Sequence, residues 1–120
     1  MSNHPITPKA HGLIDYGFAA VQWLAPELLG FDKKIVKLYK VLGLNLLAYN
    51  AVTDHPVAAK PLISYDTHHQ IDTANVAMLA LLTAYKGIRK NKRVLAFHVG
   101  FVTLAAINVL LTDWKAGKGK

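Results

Sequence analysis

The chain of 120 residues contains no cysteine. This absence excludes a disulfide scaffold, catalysis by a thiol and zinc sites with cysteine ligands. Charged residues are also few, at 18%, whereas hydrophobic residues make up 52%. Such a chain buries enough apolar surface to fold, which excludes a disordered protein, and its length suits a single domain over residues 1–120.

Several functional motifs are missing as well. The sequence has no G-x-x-x-x-G-K-[ST] loop, no G-x-G-x-x-G and no G-x-S-x-G, so nucleotide and acyl-transfer chemistry lack support. The net charge is +7, but the basic residues flank apolar stretches instead of lining one helix face. We therefore expect no nucleic-acid partner, and we favour a protein without enzymatic activity.

No segment shows strand alternation bounded by hairpin turns, so the predicted fold class is all-α. Capping residues and stop signals predict four helices at about 8–30, 33–53, 65–86 and 92–114. The predicted N-caps are Thr7, Asp32, Ser64 or Asp66, and Asn91. Pro26 should kink the first helix or end it early, and Gly30 and Gly87 should end the first and third. Short connections within each half predict two tandem helical hairpins that form an antiparallel four-helix bundle.

The distribution of charge predicts a membrane protein. Residues 94–112 form a run of 19 without Asp, Glu, Lys or Arg, and shorter uncharged runs cover 16–26, 41–53 and 73–85. A span needs about 20 mostly apolar residues, so four spans and a soluble four-helix bundle are both open, and we favour four spans. Lys and Arg cluster in the two short loops, which predicts a multi-pass protein of the cytoplasmic (inner) membrane with outward termini. Its partners would be membrane lipid and other membrane subunits or further copies of itself.

The two halves of the chain repeat two short motifs. His11–Asp15 and His68–Asp72 both read H-x-x-I-D, and Thr53-Asp54 recurs as Thr112-Asp113. The offsets are 57 and 59 residues, which predicts an internal repeat over about 8–54 and 65–113.

Together with the segment Ala25-Pro26-Glu27-Leu28-Leu29-Gly30-Phe31, these motifs resemble small bacterial membrane proteins of the SPW-repeat type. Glu27 replaces the tryptophan that follows the proline in that pattern, and the second half lacks the proline. The resemblance implies a membrane bundle of duplicated two-helix units and lends no settled activity.

The topology brings six ionisable residues to one end of the bundle: His11, Asp15, His68, Asp72, Asp54 and Asp113. The favoured interpretation is a structural network that joins the hairpins, in which the threonine hydroxyls bond the preceding turn. This predicts a structural, interaction or accessory role. An alternative is a metal site, because two imidazoles and several carboxylates suit Zn, Fe or Mn. Haem ligated by His11 and His68 is a further alternative.

Other polar residues predict internal hydrogen bonds. His98 should bond Tyr39 or Asn45 in the core. The asparagines of the apolar runs should bond neighbouring helices, namely Asn45, Asn50, Asn75 and Asn108. His55 and His69 are expected to face solvent.

Overall fold

The structure is a computed structural model that describes residues 4–115, and these residues are all-helical. The helices are α1 (Pro8–Leu28), α2 (Lys33–Ala51), α3 (Tyr65–Leu82), α4 (Lys86–Arg89) and α5 (Lys92–Leu111). Residues 4–115 contain no strand, only two isolated bridges that join Ile6 to Thr112 and Thr53 to Ile63. The predicted all-α class is confirmed.

Three of the predicted N-caps make the expected hydrogen bonds. The Thr7 hydroxyl accepts from the Ala10 amide, the Ser64 hydroxyl accepts from the Thr67 amide, and the Asn91 side chain accepts from two amides of the first turn of α5. Asp32 occupies the N-cap position of α2, but its side chain makes no capping bond. The prediction for Asp32 was therefore right about position and wrong about the contact.

One helix end agrees with the prediction and another differs from it. α1 does not end early at Pro26 but continues to Leu28, because a proline this close to the C-terminus is tolerated. Gly30, with φ +73°, then supplies the left-handed turn that follows the helix. α3 ends at Leu82, well before Gly87, because Tyr85 adopts an extended backbone that interrupts the helix. The single turn of α4, which the sequence did not predict, fills the gap before α5.

The long helices pack in pairs. α1 lies along α2, where Gly43 allows a close approach, since a Cβ there would stand 3.0 Å from the Ala19 carbonyl oxygen. α3 and α4 both pack against α5. The starts of α1 and α3 meet the ends of α2 and α5, as the two bridges show. We call this the His–Asp end, and the opposite end, which carries α4, the basic end.

The interior changes character between these ends. At the basic end, Ile35, Tyr39, Ile88 and Val94 form the apolar cluster, in which each residue is almost fully buried. Towards the His–Asp end, the buried side chains are mostly polar, namely His11, Asp15, Asn50, Thr53, His55, His68, Asp72, Asn108 and Thr112.

The outer faces are unusually apolar. Large hydrophobic side chains are exposed on all four long helices, among them Leu24, Leu44, Leu81 and Leu110. Within residues 4–115, α5 alone is long and apolar enough to cross a membrane by length and composition, and most of its residues lie at the surface. Towards the His–Asp end, buried polar side chains therefore lie inside helices whose outer faces carry exposed apolar side chains.

Candidate metal centre

Four of the six predicted site residues come together at the His–Asp end. His11 and Asp15 lie one turn apart on α1, and His68 and Asp72 lie one turn apart on α3. All four are buried, and one potential ligand atom from each lies within 4.8 Å of the others. We call these four residues the His–Asp cluster.

The four potential ligand atoms form a closed ring. His11 Nε2 lies 2.8 Å from Asp72 Oδ2 and 3.1 Å from Asp15 Oδ2. His68 Nε2 lies 2.9 Å from Asp15 Oδ2 and 3.3 Å from Asp72 Oδ2. With sides of 2.8–3.3 Å, a point equidistant from all four atoms would lie about 2 Å from each, close to zinc–nitrogen and zinc–oxygen bond lengths.

The other nitrogen of each imidazole is held by a threonine. His11 Nδ1 lies 2.7 Å from Thr112 Oγ1, and His68 Nδ1 lies 2.6 Å from Thr53 Oγ1. Each hydroxyl donates a hydrogen bond to a carbonyl oxygen of the preceding turn, so it accepts a hydrogen bond from the imidazole. Both Nδ1 atoms therefore carry hydrogen, and both Nε2 atoms face the centre of the ring.

The carboxylates are held in the same way by their outer oxygens. The Tyr49 hydroxyl donates to Asp72 Oδ1 at 2.5 Å, and the Asn108 amide donates to Asp15 Oδ1 at 3.1 Å. The Asn75 amide in turn donates to the Tyr49 hydroxyl at 3.2 Å. Because every member of the cluster has an outer partner, the positions of all four inner atoms are fixed before any ligand binds.

The contacts of the two halves correspond to one another. The His11–Thr112 bond matches the His68–Thr53 bond with the halves exchanged. The bridge from Ile6 to Thr112 likewise matches the bridge between Ile63 and Thr53. The corresponding residues of the two halves are separated by the same offsets of 57 and 59 positions that the sequence shows. The internal repeat itself stays a prediction.

Aromatic rings cover the outer side of the cluster. Trp114 lies edge-on to His11, with ring centroids 4.7 Å apart, and stacks on His69 at 4.1 Å. Tyr65 packs against Trp114 at 4.8 Å. The backbone of Ile6 holds this end in place through hydrogen bonds to Leu111 and Asp113. His69 therefore lies half-buried under an indole, which corrects the expectation that it faces solvent.

The loop after α2 packs beside the cluster through His55, which was expected to face solvent and is buried. Its Nε2–H donates to Asn50 Oδ1 at 2.8 Å, and its Nδ1 accepts from the Val57 amide. Burial, followed by the neighbouring His68, lowers the pKa of the His55 imidazole. The loop lies so close to α1 that a Cβ on Gly12 would stand 2.5 Å from a Val57 methyl.

Asp54 and Asp113 were expected in the same layer and stand outside the cluster. Thr53 and Thr112, one residue earlier, have left the helices and turn inward towards the imidazoles. In extended chain, the next side chain points the opposite way, and Asp54 is accordingly exposed. The threonines tie the ends of α2 and α5 to His68 and His11.

The remaining predicted contacts mostly hold. Tyr39 donates to His98 Nδ1, and His98 Nε2–H donates to the Leu79 carbonyl oxygen at 2.7 Å. Asn50, Asn75 and Asn108 each bond a neighbouring helix. Asn45 is exposed.

Sequence reasoning missed the threonines and Tyr49 as partners of the cluster. The recurrence of Thr-Asp was a usable signal, but it drew attention to the charged residue of each pair. Tyr49 had no signal, because only the packing of α2 against α3 brings its hydroxyl to Asp72.

Comparison of the chain with models of known protein families, with curated proteins and with solved structures finds no match.

Proposed function

We propose that this protein binds one divalent transition-metal ion, Zn, Fe or Mn, in the His–Asp cluster of a small four-helix membrane bundle. One observation carries the metal site. Both imidazoles are fixed with Nδ1 protonated, and both Nε2 atoms point at the same centre as one oxygen of each carboxylate. Metal-binding histidines are held in this way by an outer hydrogen-bond partner.

The charge balance supports a divalent ion. Metal binding requires both imidazoles to be neutral, and the two carboxylates would then leave two negative charges in a buried site, which a divalent cation cancels. Nitrogen and oxygen donors suit Zn, Fe and Mn. A haem fits poorly, because the two imidazole centroids lie only 5.2 Å apart and both Nε2 atoms contact the same carboxylates.

Metal analysis of purified protein tests the site. We expect about one ion per chain after expression with Zn, Fe and Mn in the medium, and little in Asp15→Asn or Asp72→Asn. Asp54→Asn is the matched control, because Asp54 lies outside the cluster, and it should keep the ion. Wild-type protein without metal, or cluster variants that retain it, would contradict the proposal.

A structural ion-pair network is the second candidate. The same four atoms are within hydrogen-bond distance of one another, so two imidazoliums and two carboxylates satisfy the ring without a metal. Thermal unfolding with and without a chelator separates the two functions. A metal centre predicts a lower midpoint after chelation, whereas a network predicts no change.

The membrane part of the proposal is supported by the exposed side chains. Apolar residues cover the outer faces of all four long helices, and the charged side chains inside the apolar region, Asp15 and Asp72, are buried. Most of the basic residues lie at the other end, where Lys33, Lys37, Lys90 and Arg93 are exposed. In multi-span proteins, the end that carries the excess of Lys and Arg faces the cytoplasm. The bundle would carry its metal near the outer surface.

Alkaline carbonate extraction of membranes tests this placement. A multi-span protein stays in the pellet, and a cysteine introduced at Lys60 is then labelled from outside intact cells while one at Lys90 is not. Release by carbonate would mean that copies of the chain cover the apolar faces in a soluble oligomer.

A further inference from the structure

A cavity adjoins the His–Asp cluster on its inner side. It has a volume of about 40 Å³ and lies between α1, α2, α3 and α5. Asp15 and Asp72 line it at the cluster, and Gln22, Phe101 and Ala105 line it further from the cluster. The two carboxylates therefore form a wall that the cavity and the candidate metal centre share.

Two buried carbonyl oxygens of residues that line the cavity have no hydrogen-bond partner within residues 4–115. They are Gln22 Oε1 and Asn108 Oδ1, and the two residues are only 3% and 4% exposed. Asn108 uses its amide nitrogen on Asp15 Oδ1, which leaves its oxygen free to accept. Buried acceptors need a donor, so these two oxygens require a small molecule that can donate hydrogen bonds.

The size of the cavity identifies this molecule. A cavity needs about 10–15 Å³ to hold one water, so a cavity of about 40 Å³ has room for water. Water donates to amide and carboxylate oxygens alike, and Gln22, Asn108, Asp15 and Asp72 line the cavity. A purely apolar cavity would stay dry, but this one is not purely apolar.

We propose that the cavity holds a short chain of water molecules that begins at Gln22 and ends at the metal, where it supplies an exchangeable water ligand. The hydration follows from the cavity alone, whereas the exchangeable ligand rests on the proposed metal centre. Aromatic rings close the outer side of the cluster, so the open position at the ion lies on the side of the cavity.

An exchangeable ligand changes what the centre can do. A metal with only protein ligands is structural, whereas one that also holds water can bind small anions and acidify the water. The four side chains supply four ligand atoms, and the cavity supplies a fifth position on the side of Asp15 and Asp72.

Hydroxyl-radical footprinting of metal-free protein in nanodiscs tests the hydration. Phe101 is buried and lines the cavity, so it is oxidised only if water lies beside it. Ala105→Leu fills the cavity, and oxidation of Phe101 should fall about tenfold with the bound water displaced. Ala106→Leu is the matched control, because Ala106 lies next in sequence and does not line the cavity. Tyr39, buried at the other end, should be protected throughout.

Gln22→Met gives a second, nearly isosteric test should Ala105→Leu fail to fold. It removes an unpartnered oxygen and should also lower Phe101 oxidation. Protection of Phe101 in the wild type, or equal oxidation in the wild type and Gln22→Met, would overturn the water chain.

Cobalt-loaded protein tests the exchangeable ligand. Azide should change the visible spectrum of wild-type and Ala106→Leu protein, and the change should be abolished in Ala105→Leu. If azide leaves the cobalt spectrum of the wild type unchanged, the open position is overturned, but the metal site is not. Failure to bind cobalt would instead refute the metal centre, and the footprinting result would still decide the hydration.

Discussion

The two ends of this protein are held together by different forces. At the basic end, Ile35, Ile88 and Val94 pack around Tyr39 with almost no exposed surface. At the His–Asp end, α1 and α3 meet each other and the ends of α2 and α5 through hydrogen bonds of 2.6–2.9 Å between imidazoles, carboxylates and threonine hydroxyls. Apolar packing is tolerant of small shifts, whereas a ring of hydrogen bonds fixes atoms in place. The stiff, polar end is where a ligand site is expected.

The difference also separates stability from the proposed metal binding. A substitution at the basic end should weaken the fold and leave metal binding unchanged, whereas a substitution at the His–Asp end should weaken metal binding. The following variants test this division in order of decreasing effect.

Ile88→Ala should cost the most stability. Ile88 is fully buried against Ile35, Tyr39 and Val94. Its truncation leaves a cavity and should lower the free energy of unfolding by about 2–4 kcal/mol. Chemical unfolding in detergent measures the loss. Metal content per folded chain should match the wild type, and a reduced content would show that the two ends are coupled.

Thr53→Val and Thr112→Val should each weaken metal binding by about 10–100-fold. Valine keeps the shape of threonine but removes the acceptor that holds the His68 or His11 Nδ1–H. Competition with a chelator of known affinity gives the change. Thr→Ser at either position should restore binding, and similar losses at both positions are expected because the two contacts correspond.

Tyr39→Phe should destabilise the fold by about 1–3 kcal/mol, because it leaves the buried His98 Nδ1 without a donor. Unfolding experiments at neutral pH measure this. Tyr85→Phe is the control, since that ring is partly exposed and should change little. An effect of Tyr39→Phe on metal affinity would contradict the independence of the two ends.

His55 should give the smallest effect, and a pH-dependent one. Its pKa in the folded protein lies below the usual 6.5, so the unfolded chain binds a proton that the folded chain does not. Titration of His55 therefore leaves the free energy of unfolding unchanged above about pH 6.5 and lowers it as the pH drops below that value. The loss should be under about 1 kcal/mol, since one hydrogen bond from Val57 is at stake.

Thermal unfolding of wild type and His55→Gln at pH 7.5 and 5.5 measures this contribution. The wild type should lose more stability on acidification than the variant. Equal pH dependence would show that His55 binds its proton equally well in the folded and the unfolded chain.

Local sequence signals predicted most of the helical framework. The caps at Thr7, Ser64 and Asn91 and the turn at Gly30 follow from backbone chemistry within a few residues. The early end of α3 and the single turn of α4 were missed, since no glycine or proline marks the break at Tyr85.

The candidate site was predicted in part. The H-x-x-I-D repeat placed His11, Asp15, His68 and Asp72 correctly at one end, because helix periodicity and an up-and-down topology suffice for that. Asp54 and Asp113 were included because the same topology brings the ends of α2 and α5 to that layer. The direction of each side chain after a helix ends depends on the backbone beyond it, and the sequence alone does not specify that.

By itself, the sequence determined the all-helical class, the positions of the caps and the recurrence of a histidine and an aspartate at the start of two helices. Only the tertiary structure decided which atoms meet. Hydrogen bonds between residues 101 positions apart, such as His11 to Thr112, depend on the relative position of helices to a fraction of an ångström. That position is set by the packing of the whole interior, from Gly43 against Ala19 to the apolar cluster at the opposite end.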